Sequence, residues 1–244
     1  MYQFFVEDVQ ISEKDVIIEG SDVNHIKNVL RMKCGEKIRI SSTSGRNFYC
    51  EIAEFSGEIV RADILEELEE NTELPNQIYL FQGLPKSDKM ELIIQKAVEL
   101  GVHGIIPVSM KNCVVKLDDK KAVSKVNRWQ EIAKSAAKQS KRSLIPAVEL
   151  PMSYKLAVER AKGLDVVLVP YENERGMQAT REVMEGIKPG QSIGIFIGPE
   201  GGFDSSEIEL VKDNSHLISL GNRILRTETA GLATLAMLIY QLEQ

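Results

Sequence analysis

The sequence predicts a two-domain α/β protein: a small β-barrel with one short helix over residues 1–72, then a mostly parallel sheet with helices over residues 73–244. Three observations carry this reading. Period-two alternation marks the first part, strand-like and helix-like segments take turns from Gln77 onward, and two late strand-to-helix connections are rich in glycine.

In the first part, Lys37–Ser41 alternates apolar and polar residues, and so does Phe48–Ile52, with Ser44-Gly45-Arg46-Asn47 supplying turn chemistry between them. Ahead of these, Asp22–Arg31 has helical spacing and stops before Gly35. The acidic run 54–73 and Pro75 mark the expected boundary. Beyond it Ile78–Gln82 reads as an apolar strand. Asp88 is placed to cap a helix whose Ile93, Ile94, Ala97 and Val98 share a face, stopped by Gly101. A strand at 104–108, a basic helix at 122–140, a helix at 153–162 and a strand at 165–170 follow. Then come a helix at 177–186, strands at 192–197 and 216–220 around a helix at 204–213, and a last helix at 228–242. Such alternation implies a parallel sheet covered on both faces.

Bulk properties narrow the function. No apolar run approaches the roughly eighteen residues of a membrane span. The start, Met1–Asp8, lacks the basic-then-apolar order of a signal peptide, so the expected location is cytoplasmic. Cys34, Cys50 and Cys113 lie far apart, as do His25, His103 and His216, so no protein-bound metal is expected. The net charge of −6 hides a partition. Residues 54–73 hold eight acids and one base, residues 111–142 ten bases and three acids, and residues 24–50 six bases and one acid. The basic stretches suit nucleic acid, although solvated helix faces explain the same counts.

The chemistry concentrates in two loops. Ile197-Gly198-Pro199-Glu200-Gly201-Gly202-Phe203 removes side chains where backbone must approach a ligand, and Asp204 with Glu207 then forms a capping pattern. Leu220-Gly221-Asn222-Arg223-Ile224-Leu225-Arg226-Thr227-Glu228-Thr229-Ala230 sets four polar side chains directly before an apolar helix. A purely structural connection needs one cap, whether Thr227 or Thr229, with Arg226 pairing Glu228. A helix start also offers free N–H groups to an anionic oxygen. Neither loop has the GxGxxG spacing of a dinucleotide site, which disfavours a nucleotide-dependent oxidoreductase.

Val169-Pro170-Tyr171-Glu172, the 197–203 loop and the 220–230 loop together resemble the three cofactor motifs of the SPOUT methyltransferases. More narrowly, the chain is similar to the RsmE family, which methylates N3 of a uridine in bacterial 16S ribosomal RNA. The resemblance extends to His25–Arg31 with Gly35, like that family's PUA-like RNA-binding domain, and to Lys96–Val102 and Gln139–Arg142. Gln3 departs from it, standing where the family has arginine.

The resemblance implies a trefoil knot in the sheet domain, S-adenosyl-L-methionine as cofactor, a homodimer as the active unit, and 16S RNA or the small ribosomal subunit as partner. Carried over by motif, cofactor contacts fall on Val169, Pro170 and Glu172; on Ile197, Gly198, Pro199, Glu200, Gly201 and Gly202; and on Leu220, Gly221, Ile224, Leu225, Arg226, Thr227, Thr229 and Ala230. Candidate RNA contacts are His25, Lys27, Arg31 and Arg46, with Lys134, Lys138, Lys141 and Arg142 on the basic helix and its exit. Methyl transfer to N3 requires loss of the imide proton and stabilisation of charge on O2 and O4. Arg226 is the candidate for the second role, and Glu228, Glu200 or solvent for the first. Two rivals stay open: a relative acting on another ribosomal or transfer RNA nucleotide, and a non-catalytic RNA-binding assembly factor.

Overall fold

The computed structural model describes residues 1–69 and 72–243; Glu70 and Asn71, inside the acidic run, and Gln244 lie outside the described residues. The chain divides into two compact units, residues 1–73 with 137–145, and residues 74–136 with 146 onward.

The first unit is a five-stranded sheet in the order β1-β3-β4-β5-β2, formed by Tyr2–Val6 (β1), Asp15–Ile18 (β2), Lys37–Ser42 (β3), Asn47–Ser56 (β4) and Ile59–Leu68 (β5). β1 runs parallel to β3, and the other pairs are antiparallel. Alternation sends Phe4, Ile18, Ile38, Ile40, Phe48 and Ile52 into one core. The acidic run is largely strand. Val60 and Ala62 of β5 point inward while Asp63, Glu66 and Glu67 face solvent. The segment read as one helix begins as Ser21–Asn24 (α1), then widens into a single π-helical turn over His25–Val29, with Leu30 N donating to His25 O at 2.9 Å.

Residues 137–145 complete this unit through polar contacts. Arg142 is 3% exposed and its Nε donates to Glu73 Oε2 at 3.1 Å, while Ser143 N donates to Glu73 Oε1 at 2.9 Å. Asn47 Nδ2 reaches Ser143 Oγ at 2.8 Å, and Gln3 Nε2 donates to the Arg142 carbonyl at 2.7 Å and to Ser41 Oγ at 2.9 Å. Gln3 therefore faces the interior.

The second unit is a parallel sheet in the order β12-β10-β11-β6-β7-β8, with β9 also on β7. Its strands are Gln77–Gly83 (β6), Gly104–Ser109 (β7), Ala147–Val148 (β8), Met152–Ser153 (β9), Val166–Pro170 (β10), Ser192–Ile197 (β11) and His216–Ile218 (β12). Its helices are Lys89–Glu99 (α2), Asp119–Ser140 (α3, whose last turn belongs to the first unit), Tyr154–Ala161 (α4), Gln178–Gly186 (α5), Ser205–Val211 (α6) and Thr227–Leu242 (α7). Ile78, Leu80, Phe81, Ile193, Ile195 and Phe196 are fully buried, as expected of strands covered on both faces, and Phe81 stacks on Phe196 at 4.4 Å. Ile93, Ile94, Ala97 and Val98 bury the predicted face of α2, and Gly101 ends it with φ +80°. Asp88 occupies the cap position of α2, but its side chain makes no cap bond. Short β8 and β9 carry too few residues for a periodic signal. Among the described residues no helix is long and apolar enough to cross a membrane, and no three His, Cys, Asp or Glu side chains gather as a metal site.

Candidate functional site

In the second unit the chain winds outward from β6 through β7 to β8, then returns to lay β10 and β11 on the other side of β6. Open parallel sheets bind ligands at the carboxyl ends of strands near such a reversal. Loops leaving β10, β11 and β12 meet there around a cavity of about 370 Å³, and a second hollow of about 90 Å³ adjoins it. Both share Pro170, Glu172, Ile224, Leu225 and Ala230.

Specific contacts fix these loops to each other. Thr227, the first residue of α7, donates its hydroxyl to the Gly198 carbonyl at 2.7 Å and accepts from Gln82 Nε2 at 2.9 Å. Gln82 is fully buried in β6 and also donates to Gly83 O at 3.0 Å. A Cβ on Gly83 would lie 2.8 Å from Pro199 N, so the loop after β11 rests directly on β6 backbone. Asn112 Nδ2 donates to the carbonyls of Gly201 and Gly202 at 3.1 and 3.2 Å. Beyond the loop, Asp204 and Glu207 form the predicted capping box on α6, and Lys111 Nζ reaches Asp204 Oδ1 at 2.8 Å. Lys111, then Ser206, hold the Asp204 carboxyl down at about 2. Neither threonine caps α7. Arg226 holds the cap position without a side-chain bond, and its carbonyl accepts from Thr229 N at 2.8 Å and Ala230 N at 2.9 Å.

Charge gathers at one wall. Lys89 Nζ lies 3.1 Å from Glu200 Oε1 and 3.1 Å from Glu228 Oε2. Lys86 N donates to Glu200 Oε1 at 3.1 Å. Burial raises the Glu200 and Glu228 carboxyls, but backbone N–H groups and Lys89 outweigh it, and both sit below the usual carboxylate value. Glu228, then Glu200, raise the Lys89 ammonium. Arg226 Nη1 is 4.0 Å from Glu228 Oε1, and its side chain is 82% exposed, so it remains available to a ligand.

Of the residues expected to touch the cofactor, Pro170, Glu172, Ile197, Gly198, Pro199, Glu200, Gly202, Ile224, Leu225, Arg226, Thr227 and Ala230 line the larger cavity, and Leu220 and Gly221 the smaller. Val169 is fully buried in β10, Gly201 is turned toward Asn112, and Thr229 is exposed; none of these three lines either hollow. Sequence reasoning missed Lys89 and Phe203 in the larger cavity and Glu174, Arg175 and Ser219 in the smaller. A lysine opening an amphipathic helix gives no signal of its own, whereas Phe203 closes the loop motif and was readable there.

The candidate RNA contacts divide. His25 and Arg31 are exposed. Lys27 donates to the Gly57 carbonyl. Arg46 forks onto Glu67 at 2.7 and 2.8 Å over the Phe48 ring, yet stays at the surface. Lys138 pairs with Asp22 at 2.7 Å. Lys141 follows the end of α3 with φ +62°, so it does not continue the lysine face of that helix, and it donates to Met1 O at 2.7 Å. Burial, then Arg39, lower its ammonium. Arg142 is withdrawn from the surface altogether by Glu73, which corrects its assignment as a phosphate contact. Lys134 is half-buried on α3.

Comparison with known proteins places this geometry. The RNA methyltransferase domain family matches residues 72–239, and the RNA methyltransferase PUA domain family matches residues 18–65. The chain is 41% identical to ribosomal RNA small subunit methyltransferase E of Bacillus subtilis, covering 100% of this chain and 98% of that protein. It is 37% identical to the protein of that name from Mesomycoplasma hyopneumoniae, with 98% and 99% covered. A crystal structure of the Neisseria gonorrhoeae ribosomal RNA small subunit methyltransferase E, bound to S-adenosyl methionine, superposes with a TM-score of 0.84 at 30% identity, covering 98% of this chain and 97% of that one.

Proposed function

This chain belongs to the RNA methyltransferase family, with that family's PUA domain on its N-terminal side, and from that premise we propose that it methylates N3 of a uridine in 16S ribosomal RNA using S-adenosyl-L-methionine. The observation that carries the reading is the meeting of three loops, after β10, β11 and β12, on one cavity locked by the Thr227–Gly198 hydrogen bond.

The residues present fit the cofactor. The cavity, at about 370 Å³, lies within the size range of small-ligand sites. Gly198 and Gly202 present backbone rather than side chains to it, and Ile197, Leu225 and Phe203 give apolar walls for a purine. Glu172 and Glu200 bring negative charge suited to a cationic ligand. The amino end of α7 does not favour a positive sulfur, so it serves the cofactor carboxylate or the base. When bound, S-adenosylmethionine supplies a methyl group on a sulfonium, open to in-line displacement by nitrogen.

The chain's own groups do the rest. Loop contacts hold the reacting partners in place and exclude water, which is where most of the acceleration of such a displacement originates. Arg226, exposed and only loosely paired, stabilises the charge spreading onto O2 and O4 of the uracil. Glu228 or Glu200, both ionised, accepts the N3 proton directly or through solvent. The target uridine must be unstacked to expose N3, which suits a junction or loop. Exposed bases of the first unit, His25, Arg31 and Arg46, together with Lys134, are the phosphate contacts. A homodimer in the cytoplasm completes the proposal: α7 carries apolar residues around its circumference, with Tyr240 80% exposed. The trefoil knot belongs to the same proposal; in the strand order the chain passes from β11 beyond β10 to place β12 at the sheet edge.

The experiment is mass-spectrometric mapping of modified nucleosides in 16S RNA from cells with and without the protein. Loss of one 3-methyluridine is expected; its retention refutes the reading.

A further inference from the structure

Lys89 opens α2, and its ammonium stands 3.1 Å from Glu200 Oε1 and 3.1 Å from Glu228 Oε2. One cation thus joins carboxylates from two different segments, the loop after β11 and the first turn of α7. The three side chains are only 29%, 25% and 16% exposed. Two carboxylates within reach of one nitrogen repel each other, and a positive charge between them favours both staying ionised, beside the backbone N–H groups that each already accepts.

We propose that Lys89 is a positioning residue for the transfer, clamping Glu200 and Glu228 together as carboxylates so that one of them stands ready for the N3 proton. The inference rests on the uridine reading and deepens it. From the first residue of α2 comes Lys89, from the segment before it the Lys86 N–H, and from α7 Arg226, 4.0 Å from Glu228; Glu172, after β10, lines the same cavity. From the segment after β7 comes buried Cys113. Desolvation, with Glu207 and Glu200 adding to it, raises its thiol, which stays protonated and does not compete.

The test uses Lys89→Gln and Lys89→Arg in the full chain, with two readouts. The first is a pH titration of the glutamate side-chain carbons by NMR in cofactor-free protein. The second is the pH profile of single-turnover methylation of small-subunit RNA. In Lys89→Gln one of the two carboxyls is expected to titrate at least about one unit higher, and the acid limb of turnover to move up with it. Lys89→Arg restores both. A lysine that only latches the fold lowers activity equally at every pH and leaves the titrations where they were, and that result overturns the clamp. Moved titrations with an unmoved acid limb overturn its role in the transfer. RNA left unmethylated by the wild-type chain sinks the uridine reading instead, and the titrations still decide the clamp.

Discussion

The Thr227 hydroxyl donates to the Gly198 carbonyl at 2.7 Å while receiving the Gln82 amide at 2.9 Å, so one oxygen ties α7, the loop after β11 and β6 together. Replacing Thr227 by valine keeps the shape and removes both bonds, leaving a fully buried Gln82 donor unsatisfied. The expected cost is about 1–3 kcal/mol in chemical denaturation. Cofactor affinity, followed by calorimetry, is expected to fall with it.

Gly83→Ala attacks the same seam from below. The new methyl would lie 2.8 Å from Pro199 N and 2.9 Å from Pro199 Cδ, and neither atom belongs to a flexible chain end. The loop must lift, at a cost on the order of 1–3 kcal/mol, and cofactor binding should weaken at least about tenfold.

Arg226→Ala separates binding from chemistry. The side chain is 82% exposed and makes no cap bond, so folding and cofactor affinity are expected to persist. Turnover should drop by about 100-fold or more, the scale set by losing one donor to a developing oxyanion. Unchanged turnover would remove Arg226 from the mechanism.

Asp204 makes part of the stability depend on acid. Its carboxyl ordinarily titrates at 3.8 and is held at about 2 in the fold by Lys111 and Ser206. A lowered value means the contribution is fully present above 3.8 and is lost as pH falls through about 2. Lys111→Met should therefore shift acid unfolding, followed by circular dichroism, to higher pH, with little change at pH 7 in high salt.

Lys134 and Arg142 should behave oppositely, although both are basic residues of one stretch. Lys134→Ala is expected to lower RNA affinity and reduce the salt slope by about one. Arg142→Ala removes the ion partner of half-buried Glu73, which keeps the Ser143 N–H, and should cost about 3 kcal/mol of stability. Melting and filter-binding measurements on both variants distinguish the two roles.

These contrasts also mark what the sequence could and could not reveal. Apart from the two-residue β8 and β9, the elements of the second unit were readable because its longer strands are apolar runs and its helices bury a periodic face, as α2 does with Ile93, Ile94, Ala97 and Val98. The glycine loops were readable because glycine and four polar residues before an apolar helix are locally unusual. Within the acidic run, charge counting alone does not show the alternation by which Val60 and Ala62 of β5 point inward. Arg142 and Lys89 were hidden for another reason. Their partners, Glu73 and the Glu200–Glu228 pair, are distant in the chain, and charge counting treats every base as solvated. Asp88 shows the converse error, in which a residue suited to capping sits at the right position and leaves its carboxylate elsewhere.

The membership of residues 137–145 in the first unit has a consequence for how this chain is born. Synthesis delivers all five strands of that unit early, yet Glu73 waits for Arg142, and Asn47 and Gln3 wait for Ser143 and the Arg142 carbonyl. Until then the nascent sheet emerges with its polar sockets open, while β6, α2 and β7 are already leaving the ribosome. The amino-terminal unit is begun first but closes only once residue 145 is made, after β6, α2 and β7 of the second unit, and a fragment cut at the apparent boundary would keep the strands and lose the fastening.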